Sequence, residues 1–263
     1  MAIITCPDCG HHPVSDRAPT CPKCGCPIAA PIMEAQVVGT THVSNPVSSG
    51  DHAIAVLKSI VKEAQTSFLT PSQAKGVAIR ISEEKRRCFP DPESFIRASI
   101  ASGSLILGDE DVSVISRLSD EQKATVKSFV ALSCAQLDNA LAAHLKGFKD
   151  LELLDVSYCN GLSSDGFADC KFPSTVASLD LLEVCYLRSC RRLDSPGINI
   201  AFRQARNISE VYLDGNAQLN IGATFFVKHC PSLRVLSVSN CTLGDPAMLN
   251  TVRGYNPQLK IIL

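Results

Sequence analysis

The sequence predicts an α/β repeat fold: a short solenoid with parallel strands on its concave face and helices on its convex face. Three observations support this prediction. Apolar residues recur every 25 to 31 positions through residues 126–263, amphipathic helical patterns fill much of residues 52–125, and two matched cysteine pairs stand near the N-terminus. A period of this length is typical of units that each supply one strand and one helix. We therefore divide the chain into a metal-bound module (1–29), a flexible linker (30–51), a helical cap (52–125) and the repeats (126–263).

The cysteine pairs define the N-terminal module. Cys6 and Cys9, then Cys21 and Cys24, form the pattern C-x2-C-x11-C-x2-C, with Cys26 as a spare. Four thiolates suit the closed tetrahedral coordination of structural zinc, and a module of about thirty residues needs such a metal to fold. We predict zinc as the cofactor, held by the first four cysteines. A redox dithiol or two disulfides are the alternatives, but two matched pairs without a strand-helix-strand unit do not favour them.

This module resembles the short zinc ribbons found at the N-terminus of many bacterial proteins. The resemblance covers residues 1–29 and rests on CPDCG at 6–10, VSDRA at 14–18, CPKCG at 21–25 and PI at 27–28. In that family the ribbon is an accessory module attached to very different proteins. The resemblance thus implies a metal and a bacterial origin, but no activity.

Residues 30–51 mix Pro, Gly, Ser, Thr and Val with almost no charge, which is typical of a flexible linker. Helical patterns follow at 53–64, then from Thr70-Pro71 through residue 81, and from Asp91-Pro92 through residue 100. The charged run at 83–87 is interpreted as a solvated helix end.

The C-terminal half repeats the pattern L-x2-L-x-L-x2-C/N-x2-L. Its small ninth residue suits a buried group that caps the turn. The predicted helices are 138–145, 197–204, 222–228 and 246–252. Residues that fit are Leu151, Leu154, Val156, Cys159 and Leu162; Leu182, Cys185, Leu187, Cys190 and Leu193; Ile208, Val211, Leu213, Asn216 and Leu219; Leu233, Leu236, Val238 and Cys241; Leu259 and Ile262; and, more weakly, Val126, Phe129, Ala131, Cys134 and Leu137.

The repeats resemble cysteine-containing leucine-rich repeats. The clearest segment is HCPSLRVLSVSNC at 229–241, and NPQL at 256–259 echoes it. In eukaryotes such repeats often accompany F-box segments in substrate adaptors of ubiquitin ligases, and no F-box segment is evident in this sequence. The resemblance implies protein binding.

A partner surface is predicted on the strand positions between the apolar ones. The third, fifth, seventh and eighth positions should lie exposed on the concave face, where tyrosines are common interface anchors. An exposed sheet without a partner is the alternative, since tyrosine also favours strands. The predicted partner-binding residues are Asp155, Tyr158, Tyr186, Arg188, Glu210, Tyr212, Asp214 and Ser237.

Composition and motifs narrow the function. The net charge of -1 argues against strong binding to nucleic acid. The sequence has no run of 18 apolar residues and no signal-peptide pattern. We therefore predict a cytoplasmic protein with reduced cysteines. No phosphate loop, nucleophile elbow or H-E-x-x-H motif is present.

We hypothesise a non-enzymatic scaffold or adaptor whose partner is another protein, with no membrane contact. The alternatives are a nucleic-acid- or ribosome-associated factor acting through the ribbon, a substrate adaptor of a protein-modification system, and an unrecognised hydrolase.

Overall fold

The computed structural model describes residues 3–4, 14–15, 49–164, 181–203, 205–244 and 248–263. Contacts divide the chain into two compact units, Met1–Asn45 and Pro46–Leu263. In the first unit, β1 (Ile3–Ile4) pairs antiparallel with β2 (Val14–Ser15). The predicted zinc ligands Cys6, Cys9, Cys21 and Cys24 lie outside the described residues, as does the predicted linker up to residue 48.

Three helices open the second unit, as the sequence predicts. Thr70 and Gln73 form a capping box in which each side chain accepts a hydrogen bond from the other's backbone N–H, at 3.3 and 2.8 Å. Asp91 caps the next helix by accepting from the Ser94 N–H at 2.7 Å. The helices are α1 Ser49–Gln65, α2 Pro71–Cys88 and α3 Pro92–Ala101.

Seven parallel strands form one sheet in chain order, each paired with the next. Sequential parallel pairing requires a crossover after each strand, and short helices supply most of the described crossovers. The α/β prediction is therefore confirmed. The strands are β3 Ser104–Leu107, β4 Ser128–Ala131, β5 Leu153–Asp155, β6 Val184–Tyr186, β7 Glu210–Tyr212, β8 Val235–Ser237 and β9 Lys260–Ile262.

The crossover helices fall near their predicted places, although several are 3-10 rather than α-helical. The predicted helix at 222–228 is a 3-10 helix throughout, and the one at 138–145 changes from α to 3-10 after its first turn. The elements are a 3-10 helix Val112–Ser116, α4 Asp120–Ala124, α5 Asn139–Ala142, a 3-10 helix Ala143–Gly147, α6 Ser195–Phe202, a 3-10 helix Ile221–His229 and α7 Met248–Tyr255.

The strand register divides the sheet residues into two faces. Fourth-position residues align across the sheet and, except at its last strand, are fully buried: Leu105, Phe129, Leu154, Cys185, Val211 and Leu236, followed by half-buried Ile261. We call the opposite face of the sheet the concave face. One aligned row of the concave face consists of Ile106, Val130, Asp155, Tyr186, Tyr212, Ser237 and Ile262.

The register corrects the sequence assignment of the last unit. The sequence places Ile262 at the fourth position, but Leu236 pairs with Ile261, and Ile262 lies on the concave face. The hydrogen bond from the Lys260 N–H to the Arg234 carbonyl, at 2.9 Å, sets this alignment.

Strand β3 lies inside the segment that was predicted to be helical. Leu105 and Leu107 occupy the places of Phe129 and Ala131, which follow 24 residues later. This unit has Ser102 in place of the first leucine and no ninth-position cysteine or asparagine, so the pattern does not reveal it.

The ninth-position side chains link successive repeats, as their small buried character predicts. Each donates to a carbonyl of the preceding strand region: Cys134 to Leu107 at 3.6 Å, Cys159 to Ala131 at 2.9 Å, Cys190 to Val156 at 3.2 Å, Asn216 to Leu187 at 2.7 Å and Cys241 to Leu213 at 3.2 Å. These bonds satisfy carbonyls that the turn would otherwise leave without a partner.

The residue before each ninth position has a left-handed backbone. The φ angles are 55° at Ser133, 62° at Tyr158, 51° at Ser189, 73° at Gly215 and 59° at Asn240. This conformation reverses the chain after each strand, and it is unfavourable for residues with a Cβ atom.

The charged run at 83–87 is not fully solvated, so the interpretation as a solvated helix end is wrong for Lys85. Its ammonium group is buried, 2.6 Å from an Asp111 carboxylate oxygen, and lies 5.0 Å from the centre of the Phe95 ring. Asp111 lies in the turn after β3, where its carboxylate accepts a hydrogen bond from the Gly108 N–H at 2.6 Å. Helix α2 packs against this turn, so the Lys85 charge is buried beside the carboxylate.

Within the described residues, no helix is long and apolar enough to cross a membrane.

The left-handed backbone at Ser133 yields a stability prediction. Ser133→Gly should raise the free energy of unfolding by about 0.5–1 kcal/mol. Glycine adopts this φ without the Cβ clash, and this gain exceeds the cost of the larger conformational entropy of glycine in the unfolded chain. Ser59→Gly, an exposed site inside α1, should lower it by about 0.5 kcal/mol. Urea unfolding followed by circular dichroism measures both. Destabilisation by Ser133→Gly equal to that by Ser59→Gly would contradict the assigned turn.

Candidate functional site

A groove of about 870 Å³ lies between helix α1 and the concave face. Lys58, Lys62 and Gln65 line it from the helix, and strand residues from β3 to β9 line it from the sheet. Its walls therefore combine two cationic side chains of one helix with polar and apolar side chains of seven strands. We call this space the concave groove.

Part of the concave face is covered by the chain itself. Residues 65–69, which carry the end of α1 towards α2, lie against the concave side of repeats β5 to β7. We call residues 65–69 the covering segment. Its contacts use both backbone and side-chain groups, and three residues of the repeats make most of them.

Arg188 is the centre of these contacts. One terminal guanidinium nitrogen donates to the carbonyl oxygens of Gln65 and Ser67, both at 3.1 Å. The Nε atom donates to the Asp214 carboxylate at 2.9 Å. The guanidinium carbon lies 5.1 and 4.8 Å from the ring centres of Tyr186 and Tyr212, which stack on each other at 4.5 Å. A buried cation is therefore satisfied by one carboxylate, two carbonyls and two aromatic rings.

Tyr158 holds the far end of the covering segment. Its hydroxyl donates to the Leu69 carbonyl at 2.7 Å and accepts from the Leu69 N–H at 3.1 Å. The Phe68 ring lies 6.4 Å from the Tyr158 ring and packs over Gly215, where a Cβ atom would stand 2.7 Å from the Phe68 ring. Glycine at 215 thus serves both the left-handed turn and the approach of Phe68.

The two aspartates complete the arrangement from the sheet. Asp155 accepts from the Gln65 side-chain amide at 2.8 Å and from the Ser157 N–H at 3.1 Å. Burial raises the pKa of the Asp155 carboxyl, although these hydrogen bonds oppose the shift. Asp214 accepts from the Ser237 hydroxyl and from the Ser239 N–H.

The predicted partner surface is less exposed than the sequence suggested. Six of its residues are buried, so the expectation that they lie exposed is wrong: Asp155, Tyr158, Tyr186, Arg188, Asp214 and Ser237. Glu210 and Tyr212 are half-buried and joined by a hydrogen bond of 2.7 Å from the tyrosine hydroxyl to the carboxylate. The covering segment and α1 explain the burial, since they occupy the face that the repeat pattern leaves open. The structure does bring all eight residues to one face.

The cationic wall was missed by sequence reasoning. Lys58 and Lys62 stand four residues apart, which places them on one side of α1, next to its apolar stripe. That spacing was a signal, but it does not reveal which surface the lysines face. Lys127, which immediately precedes β4, adds a third cation and is paired with Glu152 at 2.7 Å.

Burial raises the thiol pKa of six of the seven described cysteines, which disfavours the reactive thiolate form in them. All seven are free thiols. Burial raises the pKa of the Cys159 and Cys185 thiols well above the usual range and that of Cys190 to about 12, so they remain protonated near neutral pH. Burial likewise raises the pKa of Tyr186 to about 12. Among the described residues, no three His, Cys, Asp or Glu side chains gather as a metal site.

Comparisons with known proteins assign this chain to no family. No family model matches the chain, and no curated protein matches it. Among solved structures, the chain is similar to one from the crystal structure of the Rad7 and Elc1 complex in yeast, with 19% identity and a TM-score of 0.45. The match covers 59% of this chain and 39% of that one, so it spans about two fifths of the yeast chain.

Proposed function

We propose that this chain is a non-enzymatic protein-interaction scaffold or adaptor that binds its partner in the concave groove. One observation carries the proposal: the concave face already holds an irregular segment of the chain through main-chain hydrogen bonds. Arg188 binds two carbonyls of the covering segment, and Tyr158 binds both backbone groups of Leu69. A surface that recognises a peptide backbone in this way is suited to a second peptide beside it.

The proposal includes the finer fold assignment. We assign the sheet and its crossovers to a short leucine-rich-repeat solenoid. The sequential parallel strands, the recurring left-handed turn and the ninth-position hydrogen bonds support this assignment. In this interpretation α1 to α3 cap the first repeat, which prevents exposure of its core.

The buried polar groups favour binding over catalysis. Arg188, Asp214 and Asp155 satisfy one another or the covering segment, and thus hold structure in place. Five of the seven described cysteines are buried, and burial raises the pKa of the Cys190 thiol to about 12, as suits a reduced cytoplasmic protein, where we place the chain. These features support a non-enzymatic role.

A blocked groove tests the proposed function. Ser128 is half-buried at the start of β4 and lines the concave groove, so Ser128→Trp should fill part of it. The wild type should retain a discrete set of proteins from nuclease-treated lysate, and Ser128→Trp should lose them. Quantitative mass spectrometry of the retained proteins is the measurement.

The matched control is Ser116→Trp at an exposed site away from the groove, which should bind like the wild type. The chain has no native tryptophan, so the fluorescence of each variant reports where the new ring lies. Recovery that depends on nucleic acid and ignores Ser128→Trp would contradict the proposal and favour the ribbon as the binding module.

We further propose that Cys6, Cys9, Cys21 and Cys24 hold a structural zinc ion, on the strength of their spacing and their all-thiolate chemistry. The antiparallel pairing of β1 with β2 supports this assignment, because the first cysteine pair falls between the two strands in sequence. Zinc would supply folding free energy to the module, and no reaction step is assigned to it.

Metal content tests the zinc assignment. Protein prepared with zinc should contain roughly one ion per chain by inductively coupled plasma mass spectrometry, and Cys21→Ser should lose most of it. Cys26→Ser is the matched control and should keep the metal. Equal loss in both variants would show that the ligand set is wrong.

A further inference from the structure

We infer that the occupant of the concave groove is an extended, acidic segment of a protein. The inference rests on the proposed function and adds the chemistry of the partner. It is drawn from the charge of the groove wall, from the way the chain's own covering segment is bound, and from the dimensions of the sheet.

The wall formed by α1 is cationic, and none of the described residues forms an ion pair with its two lysines. Lys58 and Lys62 are exposed and line the groove. Within the described part of the chain, the hydrogen bond of the Lys58 ammonium group is to the Ser102 carbonyl, at 3.4 Å. A negatively charged ligand would supply counterions for this wall.

The remaining charges of the groove largely cancel. Lys127 is paired with Glu152, and Arg188 with Asp214. The two lysines of α1 therefore set the sign of the open part of the groove. Lys58 and Lys62 lie on one face of α1, so they favour a ligand that carries its carboxylates on the side facing that helix.

The covering segment shows what form of ligand suits this face. It is bound mainly by its backbone, through three carbonyls and one N–H, while the Gln65 side-chain amide donates to Asp155 and the Phe68 ring lies over Gly215. Recognition of this kind is specific for a peptide backbone. It favours a protein segment over a nucleic acid, which would need many phosphate contacts for useful affinity.

The sheet sets the length and pattern of the segment. The groove is lined by residues from β3 to β9, and seven strands about 4.8 Å apart span about 29 Å. An extended peptide of about nine residues covers this distance. Alternate side chains would face α1 and the sheet, where Leu153, Tyr212 and Ile262 are half-buried and offer apolar contact. We therefore expect acidic residues to alternate with apolar ones.

Peptide selection tests this inference with the full chain. A random display library of peptides of about ten residues is panned on the wild type and on a Lys58→Gln/Lys62→Gln double variant. Lys149→Gln/Lys228→Gln, with both lysines exposed outside the groove, carries the same change in net charge and is the control. The peptide most enriched on the wild type is then synthesised with a fluorescent label, together with a copy whose Asp and Glu residues are replaced by Asn and Gln.

We expect peptides enriched in Asp and Glu relative to the library. Fluorescence anisotropy should show binding about tenfold weaker to the Lys58→Gln/Lys62→Gln variant, from the loss of two partly exposed ion pairs, and less than twofold weaker to the control. The amide copy should bind about tenfold more weakly to the wild type.

Several outcomes would overturn the inference. If the selected peptides show no excess of Asp and Glu, or if both double variants lose peptide affinity equally, then Lys58 and Lys62 do not select the ligand. If such neutral peptides are still blocked by Ser128→Trp, the acidic chemistry fails while the proposed function stands. If no peptide depends on the groove, both fail. Tighter binding of a labelled oligouridylate with the same lysine dependence would assign the groove to nucleic acid.

Discussion

The buried guanidinium of Arg188 joins the covering segment to repeats that follow it by more than a hundred residues, since Arg188 lies 123 residues after Gln65. It links the covering segment to Asp214 and to the stacked pair of Tyr186 and Tyr212. A buried arginine is strongly unfavourable unless each part of it finds a partner. The covering segment is therefore held over the sheet chiefly by this group, while Tyr158 and Asp155 add hydrogen bonds to Leu69 and Gln65.

This arrangement divides the concave face into a closed and an open part. At the closed part, Tyr158 and Arg188 are already occupied by the chain's own backbone. At the open part, Lys58 and Lys62 face half-buried strand residues across the groove. The concave face thus binds one segment of the chain next to a groove that can accept another. This arrangement links the fold to the proposed interaction.

The repeat pattern predicted strands β4 to β8 and their buried residues, because leucine spacing reports directly on the side of a strand that faces the core, but it missed β3 and shifted the register of β9 by one residue. It also predicted the buried ninth position, which became the hydrogen-bonded series of Cys134, Cys159, Cys190, Asn216 and Cys241. Both inferences rest on local periodicity.

Predictions that needed knowledge of distant packing were wrong. Lys85 was assigned to solvent because its neighbours in sequence are charged, but its partner Asp111 lies 26 residues away. The concave residues were expected to be exposed because the repeat pattern does not show that residues 65–69 return to cover them. Arg188 contacts Gln65 across 123 residues, a distance that no local pattern reports.

Hydrogen exchange at the covering segment tests the central claim most directly. In Arg188→Met, peptides spanning residues 65–70 should exchange at least tenfold faster than in the wild type, and by a larger factor than peptides covering β4, because the segment has lost its guanidinium contacts. Arg80→Met, which removes only an exposed ion pair with Glu63, should leave both regions unchanged. Unchanged protection of residues 65–70 in Arg188→Met would show that the segment is held by something else, and the account of the groove would be wrong.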